Sequence, residues 1–254
     1  MIRALFISDI HISSPQDAKY ALFLRVLERC EKIQPRHLFL VGDIFDLWIS
    51  NRHYFIERYA EAAERLRTLC KLGVKVHYFE GNHDLDLKLY WQHEVGVDVQ
   101  EEAAFFEIEG RVFRVEHGDQ MDLTDQGYLF LRWLLRTPFL KFLCRYLPNK
   151  IVAWIGERAS RASRDYTSHV KTTTEDRARS LIVDHSRRVF SQKEFQVLVC
   201  GHVHTIEDRE VVIDEKKVRL INLGTWLKDP RMAVFADSEN GYQINLQSVH
   251  EWLA

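Results

Sequence analysis

The chain carries no C-x-x-C pair; its four cysteines, Cys30, Cys70, Cys144 and Cys200, are scattered through 254 residues. Such spacing argues against a disulfide framework and predicts a reducing, cytoplasmic compartment. No uncharged apolar run approaches the ~18 residues that a membrane-crossing helix requires, so the chain is expected to rest on a bilayer at most. Met1-Ile2-Arg3 leads straight into a strand-like run and is expected to leave no room for a signal peptide. Internal repeats and low-complexity linkers are missing too, which favours a single domain over residues 1–254 carrying one insertion. The formal charge of −2 selects no class of partner. What remains is an ordinary globular composition, 46% hydrophobic and 28% charged, long enough to bury a sizeable core.

Histidine, by contrast, is plentiful: five of the twelve fall in short polar clusters. These are Ser8-Asp9-Ile10-His11, Gly42-Asp43, Gly81-Asn82-His83-Asp84, His117-Gly118-Asp119 and Gly201-His202-Val203-His204. Each follows, directly or nearly, an apolar run that reads as a buried strand: 4–7, 37–41, 74–79, 112–115 and 197–200. Polar groups at the ends of neighbouring strands converge on one rim of a sheet, where α/β folds build their sites. Imidazoles, carboxylates and an amide with little sulfur nearby suit a borderline divalent metal. The pattern reads as a two-metal hydrolytic centre.

Between the clusters, residues 17–32 place Ala21, Leu22, Leu24, Val26 and Leu27 at mostly helical spacing, and Pro35 closes that helix. Residues 54–72 predict a second amphipathic helix ending at Gly73. Strand, helix, strand, helix, strand argues a partly parallel, layered α/β sheet with right-handed crossovers. Gly110-Arg111 signals a hairpin. The C-terminal third turns to strands, at 197–200, 210–213, 218–222, 232–236 and 242–247, with turns expected at 214–217 and 237–241.

The insertion, residues 126–190, is helical in pattern and different in composition. Up to His169 it holds Arg132, Arg136, Lys141, Arg145, Lys150, Arg158, Arg161 and Arg164 against Glu157 and Asp165. Tyr128, Trp133, Phe139, Phe142 and Trp154 are among the bulky residues interleaved with them, and Pro138 and Pro148 cut the run into short helices. Short, basic, aromatic helices suit an anionic membrane surface. The plainer alternative is a helical cap with solvated basic edges.

Phosphate esters resist hydrolysis because nucleophile, leaving group and phosphoryl group all carry negative charge; two metals ~3.5–4 Å apart lower the pKa of a bridging water and clamp the phosphoryl oxygens. Such a site needs a carboxylate shared by both metals, with His, Asp or Asn on each side. The series D-x-H, G-D, G-N-H-D, H-G-D and G-H-x-H resembles the calcineurin-like metallophosphoesterases, matching their motif blocks in order over most of the chain. That resemblance implies a four-layer α/β/β/α sandwich. It further implies that Asp9, His11, Asp43 and His204 hold one metal and Asp43, Asn82, His117 and His202 the other, with Asp43 bridging. His83 takes the position of a general acid or phosphate-contacting cation, while Asp46, Asp84 and Asp119 orient imidazoles or loop backbone. The remaining histidines are assigned no role.

A narrower resemblance, to the UDP-2,3-diacylglucosamine pyrophosphatases of lipid A synthesis, rests on several stretches. They are Gly42-Asp43-Ile44-Phe45-Asp46-Leu47-Trp48, His117-Gly118-Asp119 with Thr124-Asp125 and Tyr128, the basic insertion, and Leu223-Gly224-Thr225-Trp226. It implies two manganese ions and hydrolysis of a nucleotide-activated lipid to UMP and a diacylated sugar phosphate. It also implies a helical lid over two acyl chains, attached to the inner face of the inner membrane. Asn82, His83 and His202 would then meet the substrate, Asp125 and Tyr128 its sugar head, and Arg161 or Arg164 a phosphate. One departure stands out: the family's Gly-Asn-Arg-Asp is here Gly81-Asn82-His83-Asp84, and a His does not copy the bidentate grip of Arg. A divergent branch is the favoured reading because a lid suits no small soluble ester. Rival readings are a broader phosphodiesterase or phosphatase with the same metals, and a non-catalytic scaffold. Nuclease action fits less well, since the basic residues are interleaved with bulky aliphatics, and nucleic acid is not an expected partner.

Overall fold

Residues 37–41, His-Leu-Phe-Leu-Val, are buried along their whole length, as a strand covered on both faces has to be. In the computed structural model, which describes residues 1–146, 175–239 and 241–254, this strand lies inside a six-stranded sheet. The chain enters through β1 (Ile2–Ile7), α1 (Ala18–Ile33), β2 (His37–Val41), β3 (Trp48–Ile49), α2 (His53–Arg58), α3 (Ala60–Lys71) and β4 (Lys75–Phe79). Next come β5 (Asp84–Leu85), a wide-turned helix over Lys88–Val95, β6 (Asp98–Gln100), β7 (Ala104–Ile108) and β8 (Arg111–Val115). Helices α4 (Gln126–Leu135), α5 (Pro138–Tyr146) and α6 (Glu175–Phe190) precede β9 (Val197–Cys200). The end is β10 (Ile206–Ile213), β11 (Lys216–Leu223), β12 (Arg231–Ser238), β13 (Gly241–Ser248) and α7 (Val249–Leu253).

One sheet has the order β13-β12-β1-β2-β4-β6 and the other β10-β11-β9-β8-β7. β1, β2, β4 and β6 run parallel in the first, and β8, β9 and β11 in the second. Alternation along each strand then sorts the side chains into layers. Ala4, Phe6, Phe39 and Val41 face Phe113, Val115, Val197 and Val199 between the sheets, where the Phe6 ring stacks 4.5 Å from Phe39 and 5.8 Å from Phe113. Leu5, Ile7, Leu38 and Leu40 point the other way, onto Phe23 and Leu27 of α1 and Leu66 and Leu69 of α3. Behind the second sheet, Leu198, Cys200 and Leu220 pack on Ile182, Val189 and Phe190 of α6. Helix, sheet, sheet, helix is the α/β/β/α architecture that the motif order implied.

Several local details depart from expectation for physical reasons. The helix expected over 54–72 is two helices that meet at Tyr59 (φ −120°). This residue is 3% exposed, its hydroxyl donates to the Ile12 carbonyl at 3.2 Å, and its ring lies 4.3 Å from that of Phe45. Seating the ring in that slot interrupts the helical dihedrals. β10 begins four residues early because its exposed face is charged: Arg219 Nε donates to Asp208 Oδ1 at 2.8 Å across the ladder. The turn residues are Glu109-Gly110 (φ +51° and +73°) and Asp214-Glu215 (φ +47° and +64°), two-residue loops with the positive φ that tight hairpins require.

α4 inverts the usual surface helix. Tyr128, Arg132 and Arg136, four residues apart, turn toward Asp119, whereas Phe130 and Trp133 are 61% and 62% exposed. Phe139 and Phe142 on α5 are likewise exposed. Among the described residues no helix is long and apolar enough to cross a membrane. Trp154, Arg161 and Arg164 lie outside the described residues.

Candidate metal centre

The polar clusters sit at the carboxyl ends of parallel strands, in loops that bend sharply. Asp9 and His11 follow β1, Asp43 follows β2, Asn82 and His83 follow β4, His117 follows β8, and His202 and His204 follow β9. Asp9, His11, Asp43, His202 and His204 all have positive φ, between +49° and +67°. Non-glycine residues hold that conformation, at a cost of about 1–3 kcal/mol each, only where their surroundings over-determine it. The glycines before the ligands give the physical sense of the motifs. A Cβ on Gly81 would lie 2.0 Å from Asp43 Oδ1, and one on Gly201 would lie 2.1 Å from Asp9 Oδ2.

Asp43 stands in the middle. Its Oδ1 accepts the His83 backbone N–H at 2.9 Å, and its Oδ2 lies 3.5 Å from His117 Nε2, 3.9 Å from His11 Nε2 and 4.0 Å from His83 Nε2. On one side, Asp9 Oδ1 is 3.2 Å from His204 Nε2, which faces His11 Nε2 at 3.2 Å. On the other, Asn82 Oδ1 is 3.1 Å from His117 Nε2 and 3.0 Å from His202 Nδ1. Ligand atoms of Asp9, His11 and His204 gather within 4.8 Å of one another, as do those of Asp9, Asp43 and His117. The rings are aimed from behind: His117 Nδ1 donates to the Val41 carbonyl at 3.0 Å and His83 Nδ1 to the Asp46 carbonyl at 3.0 Å, each leaving Nε2 toward the centre. Asp84 accepts the backbone N–H groups of Gly81, Asp43 and Ile44 and the Tyr78 hydroxyl, so it fastens two ligand loops together.

Charge favours a cation here. Burial works against ionising Asp43, yet His117, His83 and His11 hold its carboxyl well below the usual carboxylate range. Burial pushes His11 and His202 down to about 4, leaving neutral rings with free lone pairs. His117 is the exception: burial opposes its charge, but Asp43, Asp9 and Asp119 outweigh it and hold the ring up to about 10. Three buried carboxylates thus draw a proton onto the ring that faces them, positive charge that a divalent ion would supply in its place. Nitrogen and oxygen donors in two adjoining groups around a shared carboxylate fit a pair of borderline divalent cations. Among the described residues no cysteine joins the gathered donor groups, and burial raises the thiols of Cys30, Cys70 and Cys200.

The candidate substrate residues divide. Tyr128 lies beside the centre, its ring 6.0 Å from His202 and its hydroxyl donating to Asp119 Oδ2 at 2.9 Å. Asp125 caps α4 by accepting the Tyr128 N–H at 2.9 Å. Sequence reasoning passed over Arg132, whose Nε donates to Asp119 Oδ2 at 2.7 Å. Its signal was the four-residue spacing with Tyr128 and Arg136, hidden in a run of basic residues that reads as a solvated face.

Comparison with known proteins decides the family: the Metallophos family, calcineurin-like phosphoesterase, matches residues 2–205. The chain belongs to the calcineurin-like phosphoesterases. As a member it is a metal-dependent phosphoric ester hydrolase that uses divalent cations. Among its relatives is a UDP-2,3-diacylglucosamine hydrolase of Photorhabdus laumondii, 29% identical over 222 residues, spanning 87% of this chain and 90% of that one. Another protein of that name, from Stutzerimonas stutzeri, is 28% identical over 240 residues and spans 94% of this chain and 96% of its own. Of solved structures, a novel archaeal phosphodiesterase covers 96% of this phosphoesterase and 99% of its own chain, with a TM-score of 0.49 and 14% identity.

Proposed function

We propose that the protein hydrolyses the pyrophosphate bond of UDP-2,3-diacylglucosamine, giving UMP and 2,3-diacylglucosamine 1-phosphate in lipid A synthesis, with two Mn2+ ions. The observation that carries this reading is α4, which turns Tyr128 and Arg132 onto Asp119, two residues past His117, and leaves Phe130 and Trp133 of the same helix exposed. A substrate with a diphosphate at one end and acyl chains at the other asks for that juxtaposition. In this reading Asp9, His11 and His204 hold one cation, Asn82, His117 and His202 the other, and Asp43 is shared. Bound there, the pair supplies a water of lowered pKa and positive charge against the phosphoryl oxygens. His83 presents Nε2 to the reacting phosphoryl group and hands a proton to, or steadies, its oxygen. Asn82 and His202 meet the phosphate, Asp125 and Tyr128 the sugar head, and Arg161 or Arg164 the second phosphate. The exposed aromatics of α4 and α5 form part of a lid over the acyl chains and rest on the anionic cytoplasmic face of the inner membrane. Nucleic acid has no place in this scheme.

His83 favours a second reading, a broader phosphodiesterase, since its imidazole lacks the paired donors of the arginine found in the lipid A pattern. Turnover of UDP-2,3-diacylglucosamine against bis-p-nitrophenyl phosphate with Mn2+ separates the two. A large preference in kcat/KM for the lipid supports the first; no preference rejects it.

A further inference from the structure

Beyond the end of β11, Leu223-Gly224-Thr225-Trp226 closes over Asp9 without adding a ligand. Thr225 Oγ1 and the Trp226 N–H both donate to the Asp9 carbonyl, each at 3.1 Å. Asp9 sits at φ +49°, a conformation that a non-glycine residue keeps only while its neighbours fix it. The carboxylate of the same residue is held by the His202 N–H, at 3.1 Å to Oδ1 and 3.0 Å to Oδ2. These grips come from two loops, 201–204 and 224–226, and one side chain ties the loops together. Asn222, wholly buried near the end of β11, donates Nδ2 to the Gly201 carbonyl at 2.6 Å and accepts the Gly224 N–H at 3.1 Å. A carbonyl only accepts and a peptide N–H only donates, so a single orientation of the amide satisfies both.

We propose that Asn222 and Thr225 are positioning residues for the Asp9 side of the centre. Asn222 sets the spacing of the two loops, and Thr225 fixes the Asp9 backbone so that its carboxylate meets His204 at a cation. The inference rests on reading Asp9 as a metal holder; neither new residue touches cation or substrate. Without the Thr225 hydroxyl the Asp9 carbonyl keeps the Trp226 N–H alone. The residue can then relax toward ordinary dihedrals and draw its carboxylate away from His204 Nε2, now 3.2 Å distant.

Mn2+ alone is the probe, titrated into the full chain and followed by the electron paramagnetic resonance of the free ion, with no substrate present. Thr225→Val keeps the shape and removes the hydroxyl; it is expected to weaken one of two bound ions about 10-fold, as loss of a supporting contact does. The other ion and the melting temperature of the metal-free protein should stay unchanged. Thr225→Ser should restore affinity to within about twofold of wild type, since the supporting donor returns. Asn222→Ala should weaken the same ion, and the Thr225 pair carries the test if that variant fails to fold. Wild-type affinity for both ions in Thr225→Val overturns the proposal, as does a loss that serine leaves uncorrected. A wild-type chain that takes up fewer than two ions overturns the metal-centre reading, and this proposal with it.

Discussion

Arg132 Nε lies 2.7 Å from Asp119 Oδ2, two residues beyond His117, and thereby moors an aromatic helix to the rim of the metal centre. Both side chains are nearly buried, 11% and 5% exposed, and the Tyr128 hydroxyl shares the same carboxylate. Removing one partner leaves the other with weaker company, Arg132 with Glu102 at 3.1 Å and Asp119 with Arg136 at 3.9 Å, at a cost of about 1–3 kcal/mol. Arg132→Met and Asp119→Asn should each lower stability to urea by that order. The double variant should show coupling of about 1–3 kcal/mol between the two sites. Strict additivity of the two losses would mean that the pair moors nothing.

Gly81→Ala and Gly201→Ala each drive a methyl into a ligand carboxylate, at 2.0 Å from Asp43 Oδ1 and 2.1 Å from Asp9 Oδ2. A misplacement of about 1 Å in a catalytic group costs on the order of 100-fold in rate. Turnover of a generic phosphodiester should fall at least that far while far-UV circular dichroism stays native. Alanine variants with wild-type rates would contradict the close approach.

Metal uptake should be coupled to proton release. With His117 held up to about 10 in the metal-free centre, the ring carries a proton at neutral pH, and a cation has to displace it. His11 and His202, pushed down to about 4 by burial, have none to lose. Titration calorimetry in buffers of different ionisation enthalpy should report about one proton released at pH 7, with affinity rising as pH climbs toward 9. A heat of binding independent of buffer counts against this.

Trp133→Ser with Phe139→Ser removes two of the exposed rings, 62% and 74% open to solvent. Co-sedimentation with anionic vesicles should weaken about 100-fold or more, at ~1.5 kcal/mol or more for each of the two buried aromatic side chains. Turnover of a small phosphodiester should not change. Equal vesicle binding by variant and wild type, or none by either, would count against a membrane contact through these rings.

Asp17 caps α1: it accepts the Lys19 N–H at 2.9 Å and the Ser13 N–H at 3.2 Å, and these bonds outweigh burial in lowering its pKa below 3.8. A depressed carboxyl pKa stabilises the fold above the unfolded value, and that contribution disappears as pH falls through the folded one. Asp17→Ala should therefore cost about 1 kcal/mol at pH 7 in urea unfolding, and less in acid below the usual carboxylate range. An equal cost at both pH values would rule out the ionised cap.

Ligand chemistry is written in residue type, so the five clusters and their strand ends are readable in a linear chain. What each ligand leans on is not. Gly81 and Gly201 read as motif letters, while their reason, a carboxylate oxygen where a Cβ would be, exists only in three dimensions. The break at Tyr59 is set by Ile12 and Phe45, far away in the chain, which overrule a good helical pattern. Asn222, one amide in the apolar run Leu220-Ile221-Asn222-Leu223, looks like a tolerated polar residue until its partners Gly201 and Gly224 are seen. His37 and His77, assigned no role, bond to each other at 3.1 Å with Asp98 2.8 Å beyond, as satisfied core histidines do.

Asp9, Asp43 and Asn82 hang from one sheet and His117, His202 and His204 from the other. Divalent ions seated among them would act as rivets through the seam of the sandwich. Each tenfold rise in free ion above its dissociation constant then adds about 1.4 kcal/mol against unfolding. The Phe6, Phe39 and Phe113 rings are the shim that sets the gap, so a swollen or hollowed shim should loosen the rivets before it melts the plates.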